Sequence, residues 1–136
     1  MIEGGCLCGA VRYAIAGALA DIQVCHCRSC QKAQGTAFAT NIPVARDCFE
    51  WRRGQAEIRD YESSPGKHRL FCGRCGSPLI SRRDDAPDAV RVRAGTLDGP
   101  VQARIESQAF CAETPCWWPP AADVACFDGP RSETCG

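Results

Sequence analysis

Three short cysteine clusters constrain this chain more than any other feature. Cys6-Leu7-Cys8-Gly9 reads C-x-C, Cys25-His26-Cys27-Arg28-Ser29-Cys30 reads C-x-C-x-x-C, and Cys72-Gly73-Arg74-Cys75-Gly76 reads C-x-x-C-G. Together they use seven of the chain's twelve cysteines. Twelve in 136 residues approaches the density of disulfide-stapled secreted scaffolds. Met1–Gly5, however, has neither the basic nor the apolar region of an export signal, so the expected compartment is the cytoplasm. In that reducing environment clustered cysteines are metal ligands more often than disulfides.

Thiolate-rich sets of this kind suit zinc. A structural zinc takes four tetrahedral ligands, whereas a catalytic one keeps an open position beside three. Cys6 and Cys8, read as i and i+2 of a strand, offer two sulfurs on one face. Cys72 and Cys75 form a knuckle whose tight turns Gly73 and Gly76 permit. Two plus two makes a closed site that clamps a loop of 63 intervening residues. Its formal −2 charge is to be offset by a nearby arginine, Arg12 or Arg74. The competing reading is four buried cysteines acting as small hydrophobes.

Cys25, Cys27 and Cys30 converge if a strand ends at Cys27 and a short helix begins there. They form the candidate catalytic site: three thiolates with a fourth position open to water or to an incoming thiol. His26, between two ligands, faces away from them and is read as a packing residue. Cys48, Cys111 or Cys116 would close the site from afar and make it structural. A labile, partly filled cluster is the further alternative.

The rest of the chain reads as mainly β. Val11, Tyr13 and Ile15 alternate with Ala10, Arg12 and Ala14. Further short strands are predicted over Ala37–Val44, Cys48–Arg52, Ala56–Tyr61, His68–Cys72, Leu79–Arg82, Ala89–Ala94 and Val101–Ser107, with turn-forming clusters between them. Only Arg28–Gln34 reads as helical, and it is too short to stand alone. Thr114–Gly136 is expected to be coil, with a loose tail from about residue 128. At 136 residues the chain is expected to be a single domain with a modest core. Structural zinc would then contribute on the order of 10 kcal/mol to folding. Acidic and basic residues balance at 16 each, which argues against nucleic acid, and no apolar run approaches a membrane span.

The segments Gly5–Tyr13, Cys25–Lys32 and Phe71–Leu79, followed by Arg93-Ala94-Gly95-Thr96-Leu97-Asp98, resemble the glutathione-dependent formaldehyde-activating, or centromere-protein-V-like, family. The resemblance runs to about Ser107. It implies a β-tent fold of small antiparallel sheets around a structural zinc held by Cys6, Cys8, Cys72 and Cys75. It also implies a catalytic zinc on Cys25, Cys27 and Cys30. The implied activity is S-(hydroxymethyl)glutathione synthesis, a carbon–sulfur lyase reaction on glutathione and formaldehyde. The chain departs from the family beyond Phe110: Cys116-Trp117 stands where a Pro-Trp pair is usual, with Phe127 at the usual distance.

Arg28 and Lys32 are candidates to pair with a carboxylate of a tripeptide thiol. Trp117 is a candidate wall of the second site, facing Gly35–Phe38 across a pocket. The partners expected are therefore a small thiol and an aldehyde. Two rival functions stand beside the enzyme: a non-catalytic zinc module for protein interaction, and a thiol or metal sensor.

Overall fold

The structure, a computed structural model, describes residues 1–129. Ten strands and one helix follow in the order β1 (Ile2–Gly5), β2 (Arg12–Ile15), β3 (Ile22–Cys25), α1 (Arg28–Gln34), β4 (Ala39–Ala45), β5 (Phe49–Arg53), β6 (Ile58–Ser64), β7 (Lys67–Cys72), β8 (Pro78–Arg83), β9 (Ala89–Arg93) and β10 (Ile105–Ala109). They build a three-stranded antiparallel sheet, β1-β2-β5, and a seven-stranded sheet, β10-β3-β4-β9-β8-β7-β6. The larger sheet is mixed, because β10 runs parallel to β3 while its other pairs are antiparallel. The mainly β class read from the sequence holds. α1 spans the residues expected of it, and the last predicted strand is displaced toward the C-terminus, to Ile105–Ala109. Thr114 to Gly129 contains turns only, and Cys135, with most of the expected tail, lies outside the described residues.

The apolar core lies between the two sheets. Val24, Ile42, Val44, Ile80, Val90 and Val92 supply one wall, and Tyr13, Ile15 and Phe49 supply the other. The Tyr13 and Phe49 rings stack with centroids 5.3 Å apart, and Trp51 meets Phe49 edge-on at 4.8 Å. The buried Tyr13 hydroxyl is satisfied by Thr96 Oγ1 at 2.7 Å. Gly4 lies directly over that ring, where a Cβ would come within 2.5 Å of the phenol.

The other face of the large sheet is built differently. Register places Cys25 opposite Ala39, Gln23 opposite Asn41, Asn41 opposite Arg93, Ser81 opposite Arg91, and Arg69 opposite Ser81 and Tyr61. Directly opposed residues share a face, and so do residues two apart on a strand. Gln23, Cys25, Asn41, Tyr61, Lys67, Arg69, Ser81, Arg91 and Arg93 therefore stand together on the face opposite the apolar core. Cys30 of α1 contacts this face, so the short helix lies over it. The sheet thus has one apolar buried face and one polar, strongly basic face under a helix.

Candidate metal and thiol sites

Cys6 and Cys8 lie in the turn that joins β1 to β2, not on a strand. The chain leaves the strand at Gly5 because Gly9, at φ 78°, accepts a left-handed turn that returns its N–H to the Cys6 carbonyl at 3.1 Å. The second pair repeats the device. Gly76, also at φ 78°, returns its N–H to the Cys72 carbonyl at 2.8 Å. The cluster is thus two facing knuckles, one from each sheet, joined by a 2.9 Å bond from the Leu7 N–H to Ser77 Oγ.

The four sulfurs lie within 4.8 Å of one another. Cys6 and Cys8 are 3.5 Å apart and Cys8 and Cys72 3.9 Å. A tetrahedral ion with bonds of ~2.3 Å to sulfur needs a spacing of ~3.8 Å, whereas a disulfide needs ~2.05 Å. The Val11 N–H donates to Cys6 Sγ at 3.2 Å and the Arg74 N–H to Cys72 Sγ at 3.4 Å, bonds that favour thiolate. The Ser77 hydroxyl, 3.2 Å from Cys75, leads in lowering that thiol to about 5. Arg12 does not offset the cluster's charge as expected, because its guanidinium pairs with Asp98.

The second cluster is placed by the end of β3 and the start of α1. Cys27 caps the helix, its sulfur accepting the Cys30 N–H at 3.3 Å. Gly35, at φ 67°, ends the helix about two turns later. The result brings the sulfurs of Cys25, Cys27 and Cys30 within 4.8 Å of one another. Among the described residues no fourth cysteine, histidine or carboxylate joins the group, so Cys48, Cys111 and Cys116 do not close it. His26 turns the opposite way: its Nε2 pairs with Gln108 Oε1 at 2.8 Å and its ring packs on Phe38.

Electrostatics show what this trio needs. Burial pushes the Cys25 thiol up to about 12, and its neighbours Cys30 and Cys27 push the same way. At Cys30 burial also opposes ionisation, but hydrogen bonds from Cys27 and Cys25 and the Arg69 guanidinium bring the net shift below the ordinary value. Three thiolates this close require a cation among them. Both clusters therefore fit a thiophilic metal ion by donor chemistry and by spacing.

Arg69 and Arg93 were not singled out by the sequence reading. Arg69 Nη2 stands 3.9 Å from Cys30 Sγ, and its Nε donates to Ser63 Oγ at 2.9 Å. Arg93 is 4% exposed and donates through Nη1 to Asn41. Both line a cavity of about 340 Å³ with Ala33, Tyr61, Phe71 and Ile80. Lys67 and Arg91 share their face, and burial, reinforced by Arg91, Arg93 and Arg69, lowers Lys67 to about 8. The available signal was Lys67-x-Arg69 and Arg91-x-Arg93, cations at period two, the first pair straddling the start of a predicted strand and the second inside one.

Arg28, Lys32 and Trp117 gather elsewhere, around a shallow cleft of about 220 Å³ shared with Gln31, Gly35 and Thr36. The three cysteines and Phe38 are not among its walls. Trp117 is 60% exposed, and it is Trp118 that packs on Phe38. A third convergence, Glu62, His68 and Asp84, is solvent-facing, and its carboxylates, with Asp60, are already paired with His68 and Arg82.

No helix among the described residues is long and apolar enough to cross a membrane. The backbone resembles a crystal structure of a Rhodobacter sphaeroides protein, with a TM-score of 0.64 at 22% identity, covering 78% of this chain and 98% of that one. That likeness shows a shared fold. A Halomonas elongata protein, provisionally named a glutathione-dependent formaldehyde-activating enzyme, is 34% identical over 106 residues. The match covers 72% of this chain and 66% of that relative. The sequence profile described as "Glutathione-dependent formaldehyde-activating enzyme" matches residues 1–113, a span that holds both cysteine clusters and the basic strands β7 and β9. With that span covering most of its length, the chain belongs to the glutathione-dependent formaldehyde-activating enzyme family.

Proposed function

We propose that this protein is a zinc enzyme of the carbon–sulfur lyase type that joins a small thiol to an aldehyde. Glutathione and formaldehyde, giving S-(hydroxymethyl)glutathione, are the pair the family description favours. The observation that carries the reading is the trio of Cys25, Cys27 and Cys30, three converging sulfurs with no fourth ligand among the described residues. Cys6, Cys8, Cys72 and Cys75 hold a structural zinc, giving two ions per chain. The whole chain acts as one zinc-binding domain and works in the cytoplasm.

Zinc held at the trio would supply Lewis acidity and favour thiolate over thiol near neutral pH. The chain's own residues do the rest. β3 and α1 fix the three sulfurs, and the Cys27 cap keeps Cys30 in register with them. Arg69 adds positive charge beside Cys30, which favours anionic sulfur there. In the overall reaction the substrate sulfur gives an electron pair to the carbonyl carbon and a C–S bond forms. The C=O π pair moves to oxygen, which takes up a proton as the thiol gives one up. No atom is oxidised or reduced.

The trio could equally serve as a thiol or metal sensor, and a partner-binding zinc module would need no open position. Exchange spectroscopy by NMR on glutathione and formaldehyde separates these readings. The enzyme should accelerate interconversion of the free thiol and its hydroxymethyl adduct, and Cys27→Ala should abolish that acceleration. Exchange at the uncatalysed rate with two zinc ions bound would remove the enzymatic reading.

A further inference from the structure

The basic face of the large sheet carries more positive charge than its surroundings neutralise. Lys67, Arg69, Arg91 and Arg93 stand on it together. Ion pairs among the described residues join Arg12, Arg52, His68, Arg82 and Arg83 to carboxylates, and none includes any of these four. Three thiolates around a divalent ion carry a formal −1, which offsets a single one of them. Buried charge left without a counter-charge is costly, so the face is built to meet an anion.

Two donors on residues that line one cavity are left unpaired. Nη1 of Arg69 and Nε of Arg93 are buried and have no hydrogen-bond partner. Ser63 and Cys30 hold the Nε and Nη2 of Arg69, and Asn41 holds the Nη1 of Arg93, so both guanidiniums are anchored with a donor to spare. Both line the 340 Å³ cavity, whose remaining walls include the apolar Ala33, Leu70, Phe71 and Ile80. A ligand that fits has an anionic end for the two guanidiniums and an uncharged stem for those walls. The three cysteines are not among the cavity's walls, but Arg69 links the two places, since it lines the cavity and stands 3.9 Å from Cys30 Sγ.

We propose that Arg69 and Arg93 bind a carboxylate of the thiol substrate in this cavity, so that recognition of the acid presents the sulfur to Cys25, Cys27 and Cys30. This rests on the thiol–aldehyde reading above. It places substrate recognition on β7 and β9 rather than at Arg28, Lys32 and Trp117. Planar guanidinium groups match carboxylate geometry, and such charge-assisted bonds are the strong ones.

The test is calorimetric titration of the zinc-loaded protein with S-methylglutathione and with its diethyl ester. The methylated sulfur cannot form an adduct, so the titration judges the carboxylate site alone, while the exchange experiment judges the chemistry. The free acid should bind roughly 10- to 100-fold more tightly than the diester. Arg69→Gln should weaken the acid far more than the diester and so erase most of that difference. Arg93→Gln should act alike, with partial recovery in Arg93→Lys. If Arg93→Gln fails to fold, Arg69→Gln decides alone, since that side chain is only partly buried. Equal affinity for acid and diester, equal loss of both in Arg69→Gln, or no measurable binding of the acid would overturn the proposal.

Discussion

The Leu7 N–H donates to Ser77 Oγ across 2.9 Å, joining two knuckles that lie 70 residues apart in the chain. The same hydroxyl stands 3.2 Å from Cys75 Sγ. One small side chain therefore aligns the turns and stabilises a thiolate. Ser77→Ala should cost about 1 kcal/mol of stability. It should also weaken retention of the ion at the four-cysteine site roughly 10-fold or more, as the loss of an outer-shell partner does. Urea unfolding and competition with a chromophoric chelator measure the two effects, and unchanged metal retention would count against this role for Ser77.

The two cysteine clusters should respond differently to mutation. Cys72 is fully buried where the sheets meet, and Cys72→Ala should leave no soluble folded protein. Cys27→Ala should stay folded, losing about 1 kcal/mol or less with its helix cap while losing thiol-dependent activity. Circular dichroism with metal analysis by mass spectrometry checks both. A well-folded, metal-free Cys72→Ala protein would refute the structural assignment.

Lys67 should make stability pH-dependent on the alkaline side. Burial first, then repulsion from Arg91, Arg93 and Arg69, brings its pKa down to about 8. The unfolded chain holds this proton up to ~10.4, so between those values the unfolded state binds more protons than the folded state. Stability should therefore rise as pH climbs from about 8 toward 10. Lys67→Met should flatten that rise and increase stability at pH ~7. Denaturant midpoints across the range would show it, and an unchanged slope in the variant would contradict the assignment.

Gly4 should be intolerant of any side chain. A Cβ there would meet the Tyr13 ring at 2.5 Å and the Thr96 carbonyl at 2.6 Å, and neither the core ring nor the backbone has room to yield. Gly4→Ala should destabilise by about 1–3 kcal/mol, read as a lower urea midpoint. A neutral result would mean that Tyr13 can leave its stack with Phe49.

Much of this architecture was legible before any coordinates. Period-two alternation located most strands within two or three residues, because the central ones have one apolar buried face. The one helical stretch read from the sequence, Arg28–Gln34, is the extent of α1. Ligand spacing marked which sulfurs would meet. What stayed hidden depends on partners distant in sequence. The parallel pairing of β10 with β3 leaves no local trace, since nothing in Ile105–Ala109 encodes a strand 80 residues earlier. Cys6 and Cys8 read as strand residues because C-x-C also fits a strand; only the left-handed Gly9 reveals the turn. The basic face was visible as alternation at Lys67–Arg69 and Arg91–Arg93. Its meaning required knowing that β8 brings those strands together and that α1 lies over them.

The four-cysteine cluster joins the β1–β2 hairpin of one sheet to the β7–β8 hairpin of the other. Every residue between Cys8 and Cys72, the trio included, lies inside the ring that an ion there would close. With ions at both clusters, loading would be hierarchical. The outer tether would have to fill before β3 and α1 had a platform on which to aim their sulfurs, and stripping it would disarm the inner trio. Linkage would make the relation reciprocal, so whatever occupies the trio would also raise the affinity of the tether. A cell short of zinc would then empty the trio first, leaving a folded but idle form, and lose the fold only when the tether empties too.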